Sequence, residues 1–140
     1  LHGELAKVTS SDDRNNPDCI KELPLDIPIR IGDKAADGSQ LRPYIVWFGE
    51  FVSDFEKAVK IVREADIFLV IGTSLTVQPA ASLVRYAHSE VPKFIINPDE
   101  VYNPYDDDLL EGYVHIKEKA STGVETFIER LIDLTKMYYQ

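Results

Sequence analysis

Three short runs of consecutive apolar residues stand out along the chain, at 44–48 (Tyr-Ile-Val-Trp-Phe), 67–71 (Ile-Phe-Leu-Val-Ile) and 94–96 (Phe-Ile-Ile). None alternates with polar residues, and each is too short for a helix. This is how strands read when both faces of their sheet are covered. Between the runs the periodicity changes. Phe55, Val59, Ile61, Val62 and Ala65 recur near helical spacing, with Glu56, Lys57, Lys60 and Arg63 turned outward. They predict an amphipathic helix with Ser53 or Asp54 as its N-cap. Pro79 suits the first turn of a second helix carrying Ala80, Ala81, Leu83, Val84 and Ala87. A third helix is predicted from about 123 to 138. Ser121 or Thr122 would cap it, with Phe127, Ile128, Leu131, Ile132 and Leu134 inward. A short strand near 114–116 precedes it.

Strands alternating with helices argue for an α/β fold with a parallel sheet. Three or four strands make about half of a doubly wound sheet, so the expectation is the C-terminal half of a Rossmann-like domain with helices on both faces. Residues 9–40 break the alternation. Pro17, Pro24, Pro28, Gly32 and Gly38 lie there among many polar residues, and a small irregular subdomain is expected. The predicted division is therefore 1–8 with 41–140 as the Rossmann-like part and 9–40 as the small subdomain. The acidic run Asp106-Asp107-Asp108 reads as a solvated loop.

Composition narrows the partners. The chain has 140 residues, a usual length for one domain, and 44% of them are hydrophobic, enough for a packed core. A net charge of −9 argues against nucleic acid and anionic lipid as partners but suits a Lys-rich peptide. Cys19 is the single cysteine, so neither an intramolecular disulfide nor a Cys-based zinc site can be built. One free thiol suits a reducing compartment. No apolar run approaches the ~20 residues that cross a membrane, and there is no basic-then-apolar leader. The expected location is the cytoplasm. The chain starts at Leu1 rather than Met, and sequence upstream of it is expected.

Candidate chemistry clusters at strand ends. Gly72-Thr73-Ser74 follows the central apolar run and precedes Pro79. A glycine there admits a ligand to the backbone, and hydroxyls beside a helix start can bind ribose or phosphate oxygens. Taken alone, the same triplet is equally a strand-to-helix turn with capping hydroxyls. Asn97-Pro98 closes the next strand in a similar way, and by itself is also an ordinary turn. Trp47-Phe48-Gly49-Glu50 sets an apolar wall beside a backbone edge to which an extended peptide can add; core aromatics followed by a turn would read the same. His2 carries an imidazole suited to general-base chemistry near neutral pH, and Gly3 permits close backbone approach. A lone His near a chain end carries little by itself. His88 and His115 have no partners at catalytic or ligand spacing and read as structural or exposed.

Together, His2-Gly3, Leu41-Arg42-Pro43, Val46-Trp47-Phe48-Gly49-Glu50, the block from Gly72 through Leu75, Val77 and Pro79 to Ala80, and Asn97 resemble the sirtuin family in order and spacing. The resemblance covers nearly the whole chain and is closest to bacterial-type members. It implies an NAD-dependent protein-lysine deacylase, with NAD as co-substrate and an acylated-lysine protein or peptide as partner. His2 matches the catalytic base. In the family the acyl oxygen attacks the nicotinamide ribose and displaces nicotinamide. The His then helps a ribose hydroxyl to attack the bound intermediate, and the acyl group passes to ADP-ribose. Val46 and Phe48 match residues around the acyl-lysine side chain. Gly49 and Glu50 match one edge of the peptide cleft, and Leu75 and Val77 the other. Gly72, Thr73, Ser74 and Asn97 match NAD contacts, and Lys119 and Ala120 loosely match the segment that closes over adenine.

Two departures from the family pattern matter. Sirtuins usually carry two Cys-x-x-Cys pairs where this chain has residues 9–40 and only Cys19, so a zinc-free subdomain is expected. The family's first glycine-rich loop and its nicotinamide-pocket block lie N-terminal to the His-Gly and are not among these 140 residues. The expectation is that residues 1–140 alone turn over little or no substrate, and that they self-associate through exposed sheet edges. Two alternatives stay open: a non-catalytic NAD- or FAD-binding module, and an acyl-peptide-binding module without turnover.

Overall fold

The computed structural model describes residues 1–102 and 108–138, with side chains 134, 135, 137 and 138 outside the description. Asp106 and Asp107 of the acidic run, and the inward placement of Leu134, therefore lie outside the described residues. The chain forms two compact units, Leu1–Ser53 and Asp54–Gln140.

The first unit is built on an antiparallel sheet. β1 (Gly3–Ser10) is central, between β2 (Lys21–Glu22) and β3 (Leu41–Ile45). Gly3 pairs with Ile45 and Ser10 with Leu41, and the register shifts between Glu4 and Val8. The sequence reading of 44–48 as a parallel, doubly covered strand is corrected here. The strand ends at Ile45, it runs antiparallel to β1, and Trp47 and Phe48 lie beyond it, 52% and 94% exposed. An unbroken apolar run carries no information about the direction of its partner, and here the partner is the His-Gly segment.

Residues 9–40 are largely irregular, as expected, with turns, β2 and one bridge from Lys34 to Gln40. Polar groups organise them. Thr9 and Ser10 are fully buried. The Thr9 hydroxyl donates to the Arg14 carbonyl at 2.8 Å. The Ser10 hydroxyl accepts from the amides of Asp12 and Asp13 and meets the Ser39 hydroxyl at 2.7 Å. Hydrogen bonds from Ser10 first, then from the Ser39 hydroxyl and amide, hold the Asp37 carboxyl down at about 2. Cys19 is buried beside this network as a free thiol.

The second unit holds the parallel sheet. Its elements are α1 (Phe55–Arg63), β4 (Phe68–Ile71), a 3-10 helix (Ala80–Tyr86), β5 (Lys93–Ile96), β6 (Tyr113–Ile116) and α2 (Ala120–Tyr138). The strand order is β4-β5-β6, all parallel and in register, with Ile71 beside Ile96 and Ile96 beside Ile116. β5 has a neighbour on each side, and its Ile95 and Ile96 are 1% and 0% exposed. Ile95 packs with Val70, Leu75, Val84 and Leu109 in the core, and Ile96 faces Gly123 of α2. Among the described residues β4 pairs with β5 alone and is an edge strand, and Ile67 and Ile71 are exposed.

The helices depart from expectation in detail. The Pro79 segment winds as a short 3-10 helix, not an α-helix. Asp54 occupies the N-cap position of α1, but its carboxylate meets Lys57 at 2.6 Å and caps no backbone amide. Ile61 faces solvent, as do Ile128 and Ile132 on α2. Helical spacing admits a wider stripe than one sheet face can cover. α2 starts at Ala120, so Ser121 and Thr122 lie within its first turn rather than before it. Gly123 is buried where α2 crosses the sheet. A Cβ there would stand 2.6 Å from the Ile96 methyl and 3.0 Å from Glu118 Cβ, so the glycine sets how closely α2 packs.

Candidate active site

The predicted site residues divide between the units: His2, Val46, Phe48, Gly49 and Glu50 in the first, and the glycine-loop residues, Asn97, Lys119 and Ala120 in the second. Each group is built locally.

In the first unit, Gly3 has φ +89, and a Cβ at this position would sit 2.0 Å from the Tyr44 carbonyl oxygen. Only glycine fits there. This contact brings the strands together at their ends, and the His2 carbonyl accepts from the Val46 amide at 2.9 Å. His2 is exposed, and its ring makes no hydrogen bond among the described residues. The chain then turns through 47–50, with Gly49 at φ +87 and the Glu50 amide donating to the Trp47 carbonyl at 3.0 Å. The result is an accessible imidazole on the strand beside Val46, and an aromatic turn whose Phe48 side chain is almost wholly free.

Arg42 holds that turn, a role that sequence reading missed. Its guanidinium donates to both Glu50 oxygens, at 2.5 and 2.9 Å, and to the Ile45 carbonyl at 2.9 Å. It lies 4.0 Å from the Trp47 ring centroid, and the Trp47 amide donates to Glu50 Oε2 at 2.9 Å. Hydrogen bonds from Arg42 first, then from the Trp47 amide, hold the Glu50 carboxyl down at about 2. The carboxylate of Glu50 is thus engaged within the turn, and what this segment offers a ligand is its backbone and Phe48. The spacing Arg-x7-Glu across one turn was the available signal, but it is short of any recurring motif.

In the second unit, Gly72 has φ +64 at the end of β4, and its amide donates to the Ile96 carbonyl. Gly72, Thr73 and Ser74 are all exposed. The Thr73 hydroxyl accepts from the Leu75 amide at 3.1 Å, and the Ser74 and Thr76 hydroxyls meet at 3.1 Å. Leu75 takes φ +54, uncommon for a branched side chain, yet the side chain is buried in the core. Core packing over-determines that strained backbone and leaves 72–74 looping outward at the carboxyl edge of the sheet. Leu75 therefore offers a ligand its backbone only, whereas Val77 is exposed.

Asn97 follows β5 at the same edge. Its amide donates to the Ile116 carbonyl, its Nδ2 donates to the Asp99 carbonyl at 2.9 Å, and its carbonyl meets His115 Nε2 at 2.9 Å. His115 therefore has partners that its sequence spacing did not reveal, while His88 is exposed as read. Lys119 and Ala120 are exposed at the start of α2, where the Lys119 carbonyl accepts from the amides of Thr122 and Gly123.

Among the described residues, no three His, Cys, Asp or Glu side chains come together in a way that could hold a metal ion. The single thiol in 9–40 does not fit the four-Cys zinc site that the resemblance implies.

A parallel α/β sheet with a glycine loop and an Asn at its carboxyl edge places these residues where open α/β folds bind ligands. The Sir2 family model matches residues 1–79. The chain is 49% identical over 134 residues to the NAD-dependent protein deacylase of Bacteroides thetaiotaomicron, covering 94% of this chain and 55% of that protein. A mutant Sir2 homologue solved with ADP-ribose superposes with TM-score 0.77 at 30% identity, over 97% of this chain and 53% of the other. Sir2Tm bound to a propionylated peptide superposes with TM-score 0.58 at 25% identity, over 97% and 55%. The chain belongs to the Sir2 family. It spans about half the length of the curated relatives it matches.

Proposed function

We propose that this chain is part of an NAD-dependent protein-lysine deacylase, in which acyl-lysine gives up its acyl group to ADP-ribose and nicotinamide is released. The observation that carries this reading is the setting of His2. A glycine-enforced strand contact holds an accessible imidazole beside Val46, just before the turn that exposes Phe48, which sets a candidate general base near apolar side chains in the same unit. In this reading His2 takes the proton from a ribose hydroxyl. Val46 and Phe48 flank the acyl-lysine stem. The backbones of Gly49, Glu50, Leu75 and Val77 serve the peptide. Gly72, Thr73, Ser74, Asn97, Lys119 and Ala120 serve NAD.

The same reading assigns 1–8 and 41–140 to the NAD-binding domain and 9–40 to a subdomain that needs no zinc, its polar network around Ser10, Ser39 and Asp37 supplying the order a metal would give. A chelator should then leave the thermal unfolding of the chain unchanged. The free Cys19 thiol suits the cytoplasm, and the open edge of β4 suits self-association of residues 1–140.

The test is nicotinamide release from NAD by the longest native chain carrying these residues, with and without an acetyl-lysine peptide. Release that depends on the peptide supports the proposal. NAD binding without release, across acetyl, succinyl and longer acyl peptides, would replace it with a non-catalytic nucleotide-binding module.

A further inference from the structure

We infer that His115 is a positioning residue for nucleotide binding: through its hydrogen bond to the Asn97 carbonyl, it fixes the loop after β5 so that the Asn97 side-chain oxygen is presented to a sugar hydroxyl. The naming of that nucleotide as NAD rests on the deacylase reading; the geometry does not.

β5 and β6 end together, and the chain beyond β5 is tied down at several points. The Asn97 amide continues the ladder to Ile116 at 3.1 Å. The Asn97 carbonyl accepts from His115 Nε2 at 2.9 Å. The Asn97 side-chain nitrogen donates to the Asp99 carbonyl. One residue further, the Glu100 carboxylate lies 3.4 Å from His115 Nδ1 and also pairs with Lys117. The His115 side chain is only 19% exposed, and its hydrogen bond to the Asn97 carbonyl holds the ring in place. With these partners counted, the side-chain Oδ1 is the Asn97 polar atom that has no partner among the described residues. An amide oxygen only accepts, so it suits a hydroxyl donor and not a phosphate. It lies at the carboxyl edge of a parallel sheet, where open α/β folds bind ligands.

The ring's contribution is to make the loop rigid before the ligand arrives, so its loss should weaken nucleotide binding without touching the chemical step. The variants are His115→Phe, which keeps ring volume but loses both nitrogens, and His115→Gln, whose amide nitrogen can still donate to the Asn97 carbonyl. Nicotinamide release is measured in the longest native chain, varying NAD and acetyl-lysine peptide separately, with ADP-ribose binding followed by calorimetry. The expected result is a rise in KM for NAD and in Kd for ADP-ribose of about threefold to tenfold for His115→Phe, the loss of one hydrogen bond. kcat and peptide KM should hold, and His115→Gln should recover most of the loss. An unchanged nucleotide affinity in His115→Phe overturns the inference. So does a parallel loss in kcat, peptide KM and melting temperature that His115→Gln does not rescue, since that marks a purely structural residue. Should the wild type bind ADP-ribose without peptide-dependent release, the deacylase reading falls, while weaker ADP-ribose binding by His115→Phe still upholds this inference. Should it bind no nucleotide, both fall.

Discussion

Replacing Glu50 with Gln tests whether the Arg42 ion pair is what shapes the aromatic turn. In the native turn Glu50 accepts two hydrogen bonds from Arg42 and one from the Trp47 amide. The Arg42 side chain is 9% exposed and that of Glu50 30%. Arg42 Nε already lacks a partner, so the guanidinium depends on Glu50 and on the Ile45 carbonyl. Breaking a buried pair by removing one partner costs about 3–5 kcal/mol, and a hydrogen bond to a charged group contributes about 1.5–3 kcal/mol. Here water reaches the Glu50 side of the pair, and Gln keeps one acceptor oxygen. Both bring the expected loss to about 2 kcal/mol. The assay is urea unfolding of the 140-residue chain followed by the fluorescence of Trp47, its one tryptophan, which stacks on Arg42. With a denaturant slope of about 1–3 kcal/mol per molar, the midpoint should fall by roughly 1 M. A loss below about 0.5 kcal/mol at unchanged slope, the range of an ordinary surface change, would refute the view that this pair holds the turn.

Two further outcomes follow from the packing and the charges. Gly123→Ala should destabilise the second unit by about 1–3 kcal/mol, because the new methyl meets Ile96, which is fully buried and has no room to yield; a change within 0.5 kcal/mol by thermal unfolding would show that α2 can lift away freely. The carboxyls of Glu50 and Asp37 both titrate near 2 in the folded chain, below their ordinary values of 4.5 and 3.8. Their stabilisation is therefore complete above those ordinary values and lost as pH falls toward 2. Denaturant midpoints measured down this window should drop, and Glu50→Gln should drop less steeply than the parent; a flat profile would contradict the assignment.

The parallel sheet was legible because strands 68–71 and 93–96 are short, β-branched and separated by segments of helical period. The antiparallel pairing of 41–45 with 3–10 was not, since an apolar run does not disclose the direction of its partner. Ile61, Ile128 and Ile132 fit helical spacing as core residues, but burial depends on what packs opposite, which periodicity does not encode. At the candidate site, Gly72 and Asn97 could be read because strand ends are where nucleotide sites form. Arg42 and His115 could not, because each acts through a contact formed by folding: Arg42 reaches eight residues along to Glu50, and His115 reaches eighteen residues back to the Asn97 carbonyl. Gly3 belongs between these cases. Its freedom of φ was readable from the sequence, while the 2.0 Å approach to Tyr44 that requires it was not.

Product analysis tests the central claim most directly. The longest native chain carrying these residues is incubated with NAD and an acetyl-lysine peptide, beside its His2→Ala variant, and the products are resolved by mass spectrometry. The expected result is deacetylated peptide, nicotinamide and acetylated ADP-ribose in equal amounts from the wild type. The variant should retain peptide and NAD binding with product reduced by about 100-fold or more, the usual worth of a general base. Equal product from both proteins would contradict the role given to His2, and free acetate without acetylated ADP-ribose would contradict acyl transfer to the nucleotide.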